Sequence, residues 1–262
     1  MPTLIFLSNS LRMARRLLAL GLLAVFSSGL VKAEEGPWRW ANPRPHGDSI
    51  RAIAKGDDFS IQVGENGSIH TSQNLVQWFP RESGTDVTLR AVTFFKDLAI
   101  VAGDDGVLLH SGDEESFAPA ELNTATSKTF RALAASSRTI VAAGDDGTIY
   151  TSSDGRSWRK RSFLYNNNIH AVAWTGRYFV VVGENGLVAT SNNGSSWNKR
   201  QSRTTRDLNA LAYVNKRLWA VGERGTILLS YNDGFSWLAA RSGTDKNLNT
   251  VTGTANEVIV AG

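Results

Sequence analysis

The chain has 262 residues, of which 28 are Lys or Arg and 24 are Asp or Glu, giving a formal net charge of +4. It contains no cysteine, which excludes disulfide bonds, thiolate metal sites and a cysteine nucleophile. The length is sufficient for one large core or for an array of repeats.

The N-terminal segment, residues 1–33, has the pattern of a secretory signal peptide. Arg12, Arg15 and Arg16 precede the apolar run LLALGLLAVFSSGLV, and the segment ends in VKA. We predict cleavage after Ala33 and export to the periplasm, to the thylakoid lumen in a photosynthetic host, or out of the cell. Because four of the 28 basic residues lie in this segment, 24 remain against 24 acidic ones. The mature chain is formally neutral, which argues against nucleic-acid binding.

Six similar units follow the signal peptide, about 40 residues apart. Each opens with an apolar residue that begins a short strand: Ile50, Leu89, Phe130, Ile169, Leu208 and Leu248. A glycine stands fourteen residues after every opener, and five units close with an aromatic residue: Trp78, Phe117, Trp158, Trp197 and Trp237. Runs of β-branched and aromatic residues between Gly-rich turns indicate about four strands per unit. We therefore predict an all-β fold, a β-propeller of four-stranded blades spanning residues 34–262.

The acidic, glycine-flanked turns of the repeat, such as GDDG at residues 144–147, raise the possibility of a metal or catalytic site. We predict instead tight hairpins between the second and third strands, in which the glycines supply positive φ. Asp145 has counterparts at the same turn position in four other units: Glu65, Asp104, Glu184 and Glu223. A ring of recurring acids does not form one active site, and neither the acids nor the histidines have metal-ligand spacing. We predict no catalytic residue, no metal and no cofactor.

The segments before the closing aromatics carry a second motif. TSSDGRSW, TSNNGSSW and SYNDGFSW end at Trp158, Trp197 and Trp237, and they resemble the Asp-box of BNR-type propellers. We place Asn192 and Asn232 at the Asp position, whereas in the third unit Asp154 follows that position. These side chains are expected to accept hydrogen bonds from their own turn. The tryptophans, together with Trp78 of a degenerate first unit, are expected to pack between blades.

The whole pattern, including VGENG and AGDDG, resembles the Ycf48/Hcf136-like family over residues 36–262. Members of that family are seven-bladed propellers known as photosystem II assembly factors. The resemblance implies seven blades at full length and a client such as a photosystem reaction-centre precursor. Because the sixth unit stops at Gly262, before a third strand, we expect the sequence to be incomplete at its C terminus.

The second residue of every opening strand is polar: Arg51, Arg90, Arg131, His170, Asn209 and Asn249. In a propeller this strand is innermost, so the six side chains are expected to ring one mouth of the central channel. Three adjacent blades supply arginine, and we predict that the three arginines and His170 contact a partner. The alternative is that the arginines pair with the acids of the hairpin turns on the same face.

Two functions stay open at this point. The first is a monomeric, non-enzymatic exported scaffold that holds a client protein, such as a segment of a membrane protein. The second is a sialidase-like or other glycoside hydrolase, because sialidases also combine a propeller, Asp-boxes and three arginines. We favour the scaffold, since the three arginines occupy symmetry-related positions rather than one unique site.

Overall fold

The computed structural model describes residues 48–254 and 256–262. The predicted signal peptide and the first part of the predicted domain, residues 34–47, lie outside this range. The described residues form β-strands and short 3-10 turns, which confirms the predicted all-β class. None of the helical turns in this range is long and apolar enough to cross a membrane.

The strands form successive antiparallel sheets, which we number as blades 1 to 6 in chain order. Blade 1 contains β1 (Ile50–Lys55), β2 (Ser60–Gly64), β3 (Ile69–Ser72) and β4 (Phe79–Arg81); blade 2 contains β5 (Leu89–Phe95), β6 (Leu98–Gly103), β7 (Leu108–Ser111) and β8 (Ala118–Pro119), and β9 (Glu121–Leu122) follows it. Blade 3 contains β10 (Phe130–Ala135), β11 (Ile140–Gly144), β12 (Ile149–Ser152) and β13 (Ser157–Arg161); blade 4 contains β14 (Ile169–Trp174), β15 (Phe179–Gly183), β16 (Val188–Ser191) and β17 (Asn198–Lys199). Blade 5 contains β18 (Leu208–Val214), β19 (Arg217–Gly222), β20 (Thr226–Ser230) and β21 (Leu238–Ala240); blade 6 contains β22 (Thr250–Gly253) and β23 (Val258–Ala261).

Within each blade the strands pair in chain order. The opening strands of neighbouring blades contact one another, β1 with β5, β5 with β10 and so on to β22, which places them innermost. The repeat does not indicate β9, which joins the outer edge of blade 3 in parallel with β13 and pairs Glu121 with Ser157. The connection between blades 2 and 3 therefore adds a fifth strand to blade 3.

The apolar core lies between adjacent blades. The second strand of a blade is buried on both faces, as in β11, where all five residues are buried. One core cluster joins blades 2 and 3 and includes Phe95, Ile100, Phe130 and Tyr150. Consecutive clusters of this kind link the blades in series, so each blade is stabilised mainly by its neighbours.

The hairpin between the second and third strands contains a 3-10 turn in blades 2 to 5: Asp104–Gly106, Asp145–Gly147, Glu184–Gly186 and Glu223–Gly225. In blade 3, positive φ occurs at Asp146 (52°) and Gly147 (64°). The first glycine, Gly144, has an extended φ of −171°, so the prediction that both glycines supply positive φ is wrong. A Cβ on Gly144 would lie 1.8 Å from the carbonyl oxygen of Thr129. Glycine is required there because the opening strand of the same blade approaches too closely for any side chain.

The turn between the third and fourth strands is closed by its own side chains. In blade 3, Asp154 Oδ1 accepts hydrogen bonds from the backbone N–H groups of Arg156 and Ser157, each at 2.8 Å. These bonds, the one from Ser157 above all, hold the pKa of Asp154 below its ordinary value. The equivalent acceptors in the other blades, each two residues after the last serine of the third strand, are Asn74, Asp113, Asn193 and Asn232. The first two blades therefore keep this turn although their motif is degenerate in sequence.

The placement of Asn192 at the Asp position is wrong. Asn193 accepts the backbone hydrogen bonds, from Ser195 at 2.8 Å and from Ser196 at 3.0 Å. Asn232 does fill this role, because the turn of blade 5 contains one additional residue, Asp233, with a φ of 55°.

The closing tryptophans differ in burial. Trp158 is 1% exposed and Trp237 is 3% exposed, and each indole Nε1 donates to the carbonyl of the glycine three residues earlier. Trp197 makes the same hydrogen bond at 3.0 Å but is half-buried, as is Trp78. Trp158 belongs to the cluster between blades 2 and 3, so its indole packs against residues of both blades.

Candidate functional site at the channel mouth

The second residue of each opening strand lies in a β-bulge in blades 1 to 5. In blade 3, Phe130 pairs with Gly144 and Ala132 pairs with Ala143, which leaves Arg131 as the extra residue. The same irregularity occurs at four other positions: Arg51, Arg90, His170 and Asn209. A bulge redirects the extra side chain away from the regular alternation of the strand. The sequence carries no signal for the bulge beyond the recurrence of a polar residue at this position.

The redirected side chains meet at the inner ends of the blades. Together they line a recess of about 420 Å³: Arg51, Arg90, Arg131, His170, Asn209 and Asn249. The structure thus brings all six polar residues to one place, at the mouth of the channel that the opening strands surround.

Each arginine of the recess pairs with the acid of its own hairpin turn. Arg90 donates through Nε to Asp104 Oδ1 at 2.5 Å and through Nη2 to Oδ2 at 2.9 Å. Arg131 pairs with Asp145, and Arg51 pairs with Glu65. The arginine side chains remain 33% to 46% exposed. The pairing that the sequence left as an alternative is therefore present, while the guanidinium groups still face solvent.

Two of these pairs carry perturbed acids. The pKa of Asp104 is lowered chiefly because Arg90 donates to it, and the Thr129 hydroxyl adds a further hydrogen bond at 2.9 Å. The Arg51 guanidinium likewise lowers the pKa of Glu65. The Asp104 carboxylate in turn raises the pKa of Arg90. The three arginine–carboxylate salt bridges give the arginine side of the recess a formal charge of zero.

The other side of the recess fastens neighbouring blades together. His170 donates through Nδ1 to the carbonyl of Leu208, at 3.1 Å, in the next blade. Asn209 donates through Nδ2 to the carbonyl of Leu248, at 3.0 Å, again in the next blade. Because His170 Nδ1 already donates to Leu208, the arginines supply more of the N–H groups that can donate to a ligand.

The chemistry available at the recess is hydrogen-bond donation. Guanidinium N–H groups suit carbonyl and carboxylate acceptors, and the pairing acids hold them in place. A general acid needs a raised pKa, whereas Asp104 and Glu65 have lowered ones. Within residues 48–254 and 256–262, no group of three or more His, Cys, Asp or Glu side chains could hold a metal ion.

The inner ring of opening strands, the radial four-stranded sheets and the polar recess at their inner ends define a β-propeller. Solved structures show the same fold. A YCF48 protein bound to a D1 peptide is 20% identical and has a TM-score of 0.64, covering 81% of this chain and 74% of that one. The designed protein Ika8 is 16% identical with a TM-score of 0.66, covering 82% and 68%.

An ancestral GH74 enzyme is also similar, at 14% identity and a TM-score of 0.64. The match covers 80% of this chain but 33% of the enzyme. No protein-family model matches the sequence, and no curated protein matches it. At these identities the similarities establish the propeller fold and leave function to the site.

Proposed function

We propose that this chain is an exported, non-enzymatic β-propeller that binds a segment of a client protein at the channel-mouth recess. The observation that carries the proposal is the arginine side of the recess. Arg51, Arg90 and Arg131 occupy the bulge position in three adjacent blades, and each is held by an acid while staying partly exposed. Donors fixed in advance lose little entropy when they bind an acceptor.

The recess selects the form of the client. A volume of about 420 Å³ admits a chain end or a few residues of an extended segment rather than a folded surface. Because the arginine–acid pairs are formally neutral, recognition depends on short hydrogen bonds to carbonyl or carboxylate oxygens rather than on a long-range field. Binding is therefore expected to weaken only modestly between low and physiological salt.

The similar YCF48 structure, in which a D1 peptide is bound, supports a peptide partner. The Ycf48/Hcf136-like resemblance of the sequence extends the proposal to a photosystem reaction-centre precursor as client and to photosystem II assembly as the process. A membrane-protein segment exposed on the exported side of a membrane would meet the recess of a monomeric propeller directly.

Fluorescence anisotropy with a labelled D1 peptide tests the proposal. The variant Arg51→Gln/Arg90→Gln/Arg131→Gln is expected to bind at least ten times more weakly than the unmodified protein. A matched control removes three exposed arginines elsewhere, Arg138, Arg177 and Arg241, and is expected to bind within twofold of the unmodified protein.

A further variant separates hydrogen bonding from charge. Arg131→Gln/Asp145→Asn removes one arginine–carboxylate pair without changing the net charge. This variant is expected to bind the peptide more weakly than the unmodified protein. Equal affinity in the triple glutamine variant and its control would refute the role of the recess.

Export rests on the predicted signal peptide and needs its own test. Residues 1–40 fused to an alkaline phosphatase reporter are expected to give activity outside the cytoplasm and a mature product that begins at Glu34. A reporter that stays inactive and uncleaved would count against export without bearing on the recess.

A glycoside hydrolase is the second candidate, favoured by the fold similarity to the ancestral GH74 enzyme. The recess supports it poorly, because each of its acids at blades 1 to 3 is paired with an arginine. Release of a fluorophore from a sialoside or an aryl glycoside by the purified protein would reverse this ranking.

A further inference from the structure

A second kind of arginine site recurs at the outer part of the propeller. In three blades an arginine at the end of the fourth strand, or directly after it, donates through Nε to a threonine hydroxyl on the third strand: Arg81 to Thr71 at 2.8 Å, Arg161 to Thr151 at 2.7 Å and Arg200 to Thr190 at 3.0 Å. Each threonine contacts the Asp-box turn of the next blade, since Thr71 donates to the carbonyl of Glu114 and a Cβ on Gly194 or Gly234 would meet Thr151 or Thr190. The three arginines therefore occupy equivalent clefts between neighbouring blades.

In two of these clefts, side chains of the neighbouring blade already interact with the arginine. Between blades 1 and 2 the facing turn carries Asp113, Glu114 and Glu115. The backbone N–H of Ser116 is the main cause of the lowered pKa of Asp113, and the positive charge of Arg81 adds a smaller effect. Between blades 4 and 5 the guanidinium carbon of Arg200 lies 4.0 Å from the ring centroid of Phe235, which covers it.

The cleft between blades 3 and 4 has neither an acid nor an aromatic cover. The facing turn carries Asn193 and Ser195 where blade 2 has Asp113 and Glu115. A recess of about 330 Å³ remains, lined by Arg159, Arg161 and a set of hydroxyl and amide groups, and no Asp or Glu lines it. Within the described part of the chain, neither arginine forms a salt bridge.

The two arginines share one face of β13 because they are two residues apart in a strand. The hydrogen bond to Thr151 fixes Arg161 through Nε, which leaves its terminal amino groups directed away from that bond. Ser153, Ser157 and Ser195 supply neutral donors around the same recess. Two guanidinium groups with surrounding hydroxyls and no competing carboxylate form a donor set for a tetrahedral oxyanion.

We propose that the cleft between blades 3 and 4 binds a sulfate or phosphate group, either free or as the ester of a sugar. A phosphate ester offers several strong acceptor oxygens and more than one negative charge at neutral pH. The recess lies at the small end of the range for small-molecule pockets, about 300 to 1,000 Å³. It therefore has room for a monosaccharide that carries the group. This site is separate from the channel mouth and does not depend on the proposed client.

Isothermal titration calorimetry at constant ionic strength tests the site. The probes are inorganic phosphate, inorganic sulfate, glucose 6-phosphate, galactose 6-sulfate and uncharged glucose. Saturable binding of an anion, with no binding of glucose, is expected. Tighter binding of the sugar esters than of the inorganic ions would identify an ester as the preferred ligand, and equal binding would identify the free anion.

Three variants locate the binding. Arg161→Gln is expected to reduce the affinity for the tightest-binding anion at least tenfold. Asn193→Asp is expected to do the same by placing a carboxylate in the cleft, and Asp at this position already forms the same turn in blades 2 and 3. Arg81→Gln removes the equivalent arginine of the acid-bearing cleft and is expected to leave affinity unchanged. The proposal is overturned if no anion binds, if Arg161→Gln binds like the unmodified protein, or if Arg81→Gln loses as much affinity.

Discussion

Replacing Trp158 by alanine tests how strongly a closing tryptophan couples two blades. The indole is 1% exposed and belongs to the cluster that includes Phe95, Leu98 and Ile100 of blade 2. Its Nε1 also donates to the carbonyl of Gly155 at 3.1 Å, which fixes the turn beneath it. Truncation removes both the apolar contact between the blades and this hydrogen bond.

The expected loss follows from the burial. Removing a fully buried Trp side chain costs about 3 to 5 kcal/mol, and the lost hydrogen bond adds about 1 kcal/mol. In a domain of this size, 1 kcal/mol corresponds to about 2 to 4 °C in Tm. Trp158→Ala is therefore expected to lower the Tm by about 8 to 24 °C.

Trp197 provides the matched control. It occupies the same position in blade 4 and makes the same hydrogen bond to a glycine carbonyl, at 3.0 Å, but it is only half-buried. Trp197→Ala is expected to cost about half as much. Both variants are compared with the unmodified protein by differential scanning calorimetry, with circular dichroism to check the folded state. Equal losses of Tm would refute the reasoning that burial between blades sets the cost.

Three further changes have defined outcomes. Asn193→Ala is expected to cost about 1 to 2 kcal/mol in urea denaturation because two backbone N–H groups lose their acceptor, whereas Asn192→Ala is expected to stay within about 0.5 kcal/mol; the reverse order would restore the sequence assignment. Gly144→Ala is expected to cost about 3 kcal/mol through the contact of its methyl group with a backbone carbonyl, and an unchanged Tm would contradict that contact. The lowered pKa of Asp104 means that its contribution to stability is present above its unfolded-state pKa, about 3.9, and disappears as pH falls through the folded value. The Tm difference between the unmodified protein and Asp104→Asn should therefore shrink towards low pH, and a constant difference would show that ionisation is not involved.

The repeat made the blades predictable. The apolar opening residue, the glycine fourteen residues later and the closing aromatic residue recur with few gaps. Four-stranded units that repeat in this way form a radial array of sheets, which is a β-propeller. The same repeat identified the ring of six polar side chains. Equivalent residues of successive blades lie at the same distance from the propeller axis and at the same level along it. Symmetry thus brought residues as distant in sequence as Arg51 and Asn249 to one recess.

Details that break the repeat were not predictable. Alignment on the closing tryptophan hides the additional residue at Asp233, so it places Asn192 where the structure uses Asn193. The first glycine of the hairpin turn looks like a source of positive φ, yet a close backbone contact explains it at Gly144. Strand β9 depends on the path of the connection between blades 2 and 3, and no other blade-to-blade connection within the described residues forms such a strand.

The channel mouth and the outer cleft meet in blade 3, which permits a test of their independence. Arg131 lies on β10, the innermost strand of blade 3, and Arg161 lies on β13, the fourth strand. Three inter-strand spacings of about 4.8 Å separate these strands by about 14 Å. A ligand small enough for one recess cannot contact the other across that distance. Arg161→Gln should consequently leave peptide binding at the channel mouth unchanged, and Arg131→Gln should leave anion binding unchanged. Loss of both peptide binding and anion binding in either variant would mean that the substitution had disturbed the fold of blade 3.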